Sequence, residues 1–392
     1  MRKQFCGTEN DSAAQQKHTR ESGPRNRKDW RPDMKKNCIL ILLVFISLVY
    51  SAAYPEGAEK GKVLVALGDS YIAGEGIEPY YGQSAPMKEK CKNPDWLAHR
   101  SESGWPGMLR LPGVEGVLAD HRGENFFFAA ASGARTNHLF LLTDEERKNG
   151  MTAGLEKAYN RDGISGTTML APQLDIFDEL DEKGLKADYV VLMIGGNDAE
   201  FRDVAAMSIF GWTTIQAGET NIDKGVTLLE QMYEAGNVRS AIKRVFLDVA
   251  SRAGEQACIL VAGYPYPLVD DKADGVFSRD SAMILNEANF FYCIELINLV
   301  DECRSEGMNI CYVGVNNVFT GHGAYSADPF INPIILLAGK QDLDSMALVS
   351  SASLHPNLKG AEAYARCVQD AIDQLEAGSE RYIFDIYGLE EE

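Results

Sequence analysis

The sequence predicts an α/β fold built on a parallel sheet. Three observations carry that expectation. Short runs rich in Val, Leu, Ile and Phe recur without polar alternation, as strands buried on both faces do. Amphipathic stretches of helical length separate several of them, the pattern of βαβ units with right-handed crossovers. The runs end in glycine, serine or asparagine, and open α/β sheets place their ligands outside the carboxyl ends of the strands.

The first run, Val63–Leu67, stops at Gly68, and Asp69 and Ser70 then suit the start of a helix. Further strands are expected at Glu124–Ala131, Asp188–Ile194, Ala257–Gly263 and Asn309–Val315. Helical patterns cover Met169–Glu182, Lys224–Ala253, Ser281–Glu306 and Lys359–Leu375. Residues 379–392 are acidic and read as a C-terminal tail.

Ahead of the main body (54–378) the chain changes character. Residues 1–36 carry a net +5 and few large apolar side chains, and read as a disordered basic tail. Residues 37–55 hold no charge, and the apolar centre Cys38–Val49 is short for a spanning helix. Residues 37–53 therefore read as a signal peptide, with small residues before Tyr54, or as an uncleaved signal anchor tethering the protein to a membrane. Either places the body outside the cytoplasm. Six cysteines lie in that body (Cys91, Cys258, Cys293, Cys303, Cys311 and Cys367), which permits disulfides or leaves buried thiols.

The whole chain has a formal net charge of -19, and beyond the basic tail it carries -24. Such a body repels nucleic acid and anionic lipid. There is no Cys-x-x-Cys pair, His-Glu-x-x-His helix or Gly-x-x-x-x-Gly-Lys loop, and the six histidines are scattered, so no metal or cofactor is expected.

Chemistry is expected where strand ends converge. The first supplies the Ser70 hydroxyl, the second Ser132-Gly133-Ala134, the third Gly195-Gly196-Asn197-Asp198. His355 sits in Ser353-Leu354-His355-Pro356-Asn357, on a loop entering the last helix. A hydroxyl nucleophile, backbone N–H groups, a side-chain amide and an imidazole are the parts acyl transfer needs: a base for the nucleophile and donors for the oxyanion.

These blocks, GDSYIAGEG at Gly68–Gly76, SGA at Ser132–Ala134, GGND at Gly195–Asp198 and SLHPN at Ser353–Asn357, resemble in order those of the SGNH (GDSL-type) hydrolase superfamily. Arg100-Ser101, Ala199–Phe201 and Val318–Pro333 are similar to its secreted actinobacterial esterase/lipase branch, and the likeness spans roughly Lys62 to Ala377. The resemblance implies a flavodoxin-like three-layer α/β/α sandwich with a five-stranded parallel sheet. It implies a monomeric ester hydrolase with Ser70 as nucleophile and His355 as base. The Ser70 and Gly133 backbone N–H groups and the Asn197 amide would form the oxyanion hole, Asp69 and Asp198 would brace their loops, and His322 would stay outside the catalytic set.

Two departures stand out. A full triad places an acid three residues before the base, where this chain has Ala352, although some relatives orient the base with a backbone carbonyl; Asp342 and Asp344 are the nearby alternatives. Relatives often have a cysteine before the SGA block, disulfide-linked toward the Cys91 region, where this chain has Ala131. The expected substrate is a small-molecule or lipid carboxylic ester. A carbohydrate O-acetyl esterase or an acyltransferase would use the same site, and a non-catalytic binding module would keep the fold alone.

Overall fold

In a computed structural model, residues 61–199, 201, 237–269 and 277–384 are described. The basic tail, the uncharged run at 37–53 and the first part of the expected 224–253 helix lie outside them.

The elements that frame the site run in this order: β1 (Leu64–Gly68), α1 (Ser70–Ala73), β2 (Phe126–Phe128), β3 (Leu155–Arg161), β4 (Ile164–Leu170), α2 (Ile176–Glu182), β5 (Tyr189–Met193), α3 (Val238–Ala253), β6 (Cys258–Ala262), α4 (Arg279–Ser305), β7 (Ile310–Val313), α5 (Leu358–Glu376) and β8 (Ile383–Phe384). One sheet has the order β2-β1-β5-β6-β7-β8, every pair parallel. The five expected strands are all present. The sixth, β8, comes from the stretch expected as a tail: Tyr312 N–H bonds the Tyr382 carbonyl and Gly314 N–H the Phe384 carbonyl, which covers the edge of β7.

β1 and β5 are buried along their whole length, which is why their sequences run apolar without alternation. α3 packs on α4, while α5 packs on the Trp105–Met108 turn, where Trp105 stacks on Tyr364 with ring centroids 5.6 Å apart. These two helix groups and the sheet make the three layers. From β1 the chain steps out to β2 on one side and returns to β5 on the other. The switch in direction thus falls between β1 and β5, where such sheets leave a crevice.

One expected element changes character. The stretch 169–182 begins as strand: Met169 and Leu170 close β4, Pro172 bars a helix from running through, and α2 starts only at Ile176. β3 and β4 form a separate antiparallel hairpin. Its two-residue turn, Asp162-Gly163, has φ of 54° and 75°, the left-handed pair that a tight hairpin turn requires.

The six cysteines are buried, and no disulfide joins any two of them among the described residues. Cys258 and Cys311 on β6 and β7 bring their sulfurs to 3.7 Å, well beyond a bond of about 2.05 Å.

Candidate active site

β1 ends with a glycine for a steric reason. Gly68 has φ 136°, and a Cβ there would stand 2.1 Å from the Met193 carbonyl oxygen of β5. Gln173 clamps that glycine from both sides: its Oε1 accepts from Gly68 N–H and its Nε2 donates to the Gly68 carbonyl, each at 2.7 Å. Asp69 then caps α1 by accepting from Tyr71 N–H at 3.0 Å. It is buried and also accepts from the Tyr264 hydroxyl. Burial dominates its titration, outweighing those hydrogen bonds and pushing the carboxyl up to about 7.

This framework presents the Ser70 hydroxyl to His355. Ser70 Oγ lies 2.7 Å from His355 Nε2, and His355 Nδ1 lies 3.0 Å from the Ser353 carbonyl oxygen. With a carbonyl as its partner, Nδ1 carries the proton and Nε2 is left free to accept. Burial holds the His355 pKa below its ordinary value, opposed by the Glu75 charge and the Ser353 carbonyl. Tyr71 supports the arrangement twice: its ring lies 4.9 Å from the imidazole and its hydroxyl donates to the Leu354 carbonyl at 2.8 Å. Leu354 is held at φ 58°, costly for a γ-branched residue and tolerated only in an over-determined turn.

No carboxylate forms an ion pair with His355 among the described residues. Ala352 is buried. Asp342 is spent on its own loop, accepting from Gly339 N–H, Ser351 N–H and Ser351 Oγ at 2.6–2.7 Å. Asp344 is exposed and accepts from Met346 N–H.

The other expected residues converge on the same edge. Asn197 Nδ2 donates to the Ala134 carbonyl at 2.9 Å, which fixes the amide against the Ser132–Ala134 loop and leaves its second N–H. Asp198 accepts from Thr136 N–H and Oγ1, tying the loop after β5 to the same segment. Gly133 is exposed, with φ 79°. Neither Ser70 N–H nor Gly133 N–H has a protein acceptor among the described residues, whereas the N–H groups of Asp69, Ser132 and Ala134 are all bonded. His322 stands apart: its Nδ1 bonds the Asp328 carbonyl at 2.7 Å and its ring stacks on Phe330.

Several residues of the site carried no expected role. Glu75, in the GDSYIAGEG block itself, is buried and bonds His99 Nδ1 at 2.6 Å, Ser351 Oγ at 2.8 Å and the Tyr80 hydroxyl at 3.1 Å. Burial alone would raise its pKa, but the charge and hydrogen bond of His99 outweigh this and hold the carboxyl below the usual carboxylate range. His99 in turn stacks on Tyr80 at 4.6 Å. Arg100 bonds the Ala129 and Ala130 carbonyls and Asp95, buttressing the chain as it enters the SGA block.

Four segments thus carry a serine, a histidine, an asparagine and two backbone N–H groups that have no protein acceptor among the described residues, in the block order of the resemblance. No family model matches the chain. It is 27% identical over 274 residues to a lipase of Streptomyces rimosus, covering 69% of this chain and 76% of that one. It is 28% identical over 314 residues to lipase 2 of Streptomyces coelicolor, covering 79% and 85%. Superposed on the crystal structure of an extracellular lipase from Streptomyces rimosus, it covers 81% of this chain and all of that one, with 20% identity and a TM-score of 0.49. The chain is thus similar over most of its length to Streptomyces lipases, and that similarity supports a carboxylic ester hydrolase.

Proposed function

We propose that the protein is an exported serine esterase or lipase that cleaves carboxylic esters through an acyl-enzyme on Ser70. The observation that carries this reading is the 2.7 Å Ser70–His355 contact, together with two backbone N–H groups that have no protein acceptor among the described residues. In the first half-reaction His355 Nε2 takes the Ser70 proton as Oγ adds to the ester carbonyl. The negative charge that develops on the carbonyl oxygen is met by the N–H groups of Ser70 and Gly133 and the free N–H of Asn197. His355 then gives its proton to the departing alcohol. Water repeats the sequence, with His355 as base, to release the acid and restore Ser70.

The Ser353 carbonyl takes one part of the work of a triad acid. It fixes the tautomer, but as a neutral dipole it stabilises the imidazolium less than a carboxylate would. Glu75, charged and buried, supplies a more distant negative field. The lipase names of the relatives, and the extracellular origin named for one of them, favour a lipid ester substrate and export.

The reading is tested by treating the protein with a fluorophosphonate and mapping the adduct. Label on Ser70, with Ser70→Ala folded but reduced in turnover by several powers of ten, is expected; knockouts of comparable nucleophiles lose on the order of 10⁶. Label elsewhere, or near-normal turnover by Ser70→Ala, contradicts it.

A further inference from the structure

The β3–β4 hairpin lies outside the main sheet, yet one of its residues reaches the oxyanion loop. Along β3 the side chains alternate between half-buried and exposed, with Leu155, Lys157, Tyr159 and Arg161 on the half-buried face. Lys157 Nζ donates to the Ser132 carbonyl oxygen at 2.8 Å. It also lies 4.0 Å from where a Cβ on Gly133 would stand. No carboxylate comes within ion-pair distance of it among the described residues. A partly buried ammonium without a counter-ion costs stability, and here it is spent on a peptide carbonyl.

That carbonyl belongs to the peptide unit whose other end is the Gly133 N–H. A cation bonded to the C=O of a peptide draws electron density toward the oxygen and makes the N–H a stronger donor, as hydrogen bonds in series polarise one another. The same bond holds the peptide plane. We infer that Lys157 is a positioning residue of the oxyanion hole, which orients the Ser132–Gly133 peptide and strengthens the Gly133 N–H toward the tetrahedral oxyanion. Lys157 forms no bond to substrate and gives up no proton in the cycle. The inference rests on the reading of Ser70 and Gly133 given above.

A titratable support makes the effect visible in pH. Burial pushes the Lys157 ammonium down to about 8, opposed by the Glu75 charge. The charged or titratable groups that act with it are Glu75, from the turn after α1, and His138, from the turn after the SGA block, which Arg135 also faces. Opposite it on β4 stands the uncharged Thr168. His138 is itself held down to about 4, by burial first and then by Arg135 and Lys157, and so stays neutral in the alkaline range. Lys157 therefore loses its charge as pH rises through about 8, and the oxyanion hole weakens with it.

The test is steady-state hydrolysis of a soluble short-chain aryl ester by the full chain and by Lys157→Met and Lys157→Arg, between pH 6 and 10. Removing an oxyanion donor costs roughly 10²–10³ in kcat, and weakening one is expected to cost about tenfold or somewhat more. Lys157→Met should lose that factor in kcat at pH 7 with KM little changed. The wild type should decline in kcat above pH 8, and Lys157→Arg should keep most of the rate and lose that decline, since its guanidinium does not titrate there. A Lys157→Met kcat within twofold of wild type overturns the inference, as does an identical alkaline decline in Lys157→Arg. If Lys157→Met fails to fold, judged by circular dichroism, the Lys157→Arg profile decides alone. Fluorophosphonate labelling runs alongside. A wild type that hydrolyses the ester without label at Ser70 means the reading of the site has failed, whereas normal labelling with unchanged Lys157 variants means only this inference has failed.

Discussion

Replacing Glu75 with glutamine tests how the two halves of the site are held together. Glu75 follows Ser70 by five residues, and through Ser351 it reaches the turn that carries His355. Its carboxylate accepts from His99, Tyr80 and Ser351, all within 3.1 Å and out of water. An amide keeps the shape, removes the charge and points two N–H groups at groups that are themselves donors. Breaking a buried charged pair typically costs about 3–5 kcal/mol, and we expect Glu75→Gln to fall in that range. In thermal unfolding this amounts to a loss of roughly 5–10 °C. His99→Gln should cost a similar amount, and the double variant much less than the sum, because both singles leave the same partner stranded. The pH dependence has a defined sign. A carboxyl whose folded pKa is depressed stabilises the protein above its unfolded value of about 4.3, and that stability is lost as pH falls through the folded pKa. Wild type should therefore lose stability in acid along a slope that Glu75→Gln lacks. Turnover should fall by no more than about 100-fold, since Ser70, His355 and Ser353 remain and only their placement relaxes. A stability loss below about 1 kcal/mol at pH 7, or strict additivity with His99→Gln, would refute this account.

Further outcomes follow from the same geometry. Asn197→Ala should lower kcat by roughly 10²–10³ with little change in KM, read on a soluble ester series. Asp344→Ala should leave kcat within about tenfold, a change of ~1.4 kcal/mol, because His355 Nδ1 already faces the Ser353 carbonyl; a loss near 10⁴ would reveal a missing acid. Ala352→Asp should destabilise the protein by several kcal/mol rather than complete a triad, since the site is buried against the turn at Gly76; equilibrium unfolding measures it. The acid limb of kcat/KM should have its midpoint below the ordinary histidine value of about 6.5, because burial favours the neutral imidazole; a midpoint above it would contradict the environment described for His355.

The fold was legible where apolar runs were continuous. Strands buried on both faces carry no polar alternation, so β1, β5, β6 and β7 stood out, with boundaries shifted by a residue or two. β8 did not, because two residues, Ile383 and Phe384, form no pattern and owe their place to the waiting edge of β7. The hairpin was missed although Asp162-Gly163 is a strong turn signal. Its strands are half-exposed and polar, and Leu170 and Leu174 gave the second one a false helical spacing. Ser70, Gly133, Asn197 and His355 could be nominated because each follows a strand or precedes a helix. Glu75, His99, Gln173 and Lys157 could not: each acts through a partner at least 24 residues away, and a lone polar residue announces no partner.

Ser70 and His355 are 285 positions apart. The serine lies at the end of the first strand, and the histidine arrives just before the last long helix. A ribosome therefore completes nearly the whole body before the two atoms can meet, and any shorter product carries the hydroxyl without its base. The Ser70–His355 contact is in this sense among the last that the growing polypeptide can form. The segment bearing His355 is held by Asn332, whose backbone exchanges bonds with Leu354 and His355, and by the Tyr71 hydroxyl, before the chain enters α5.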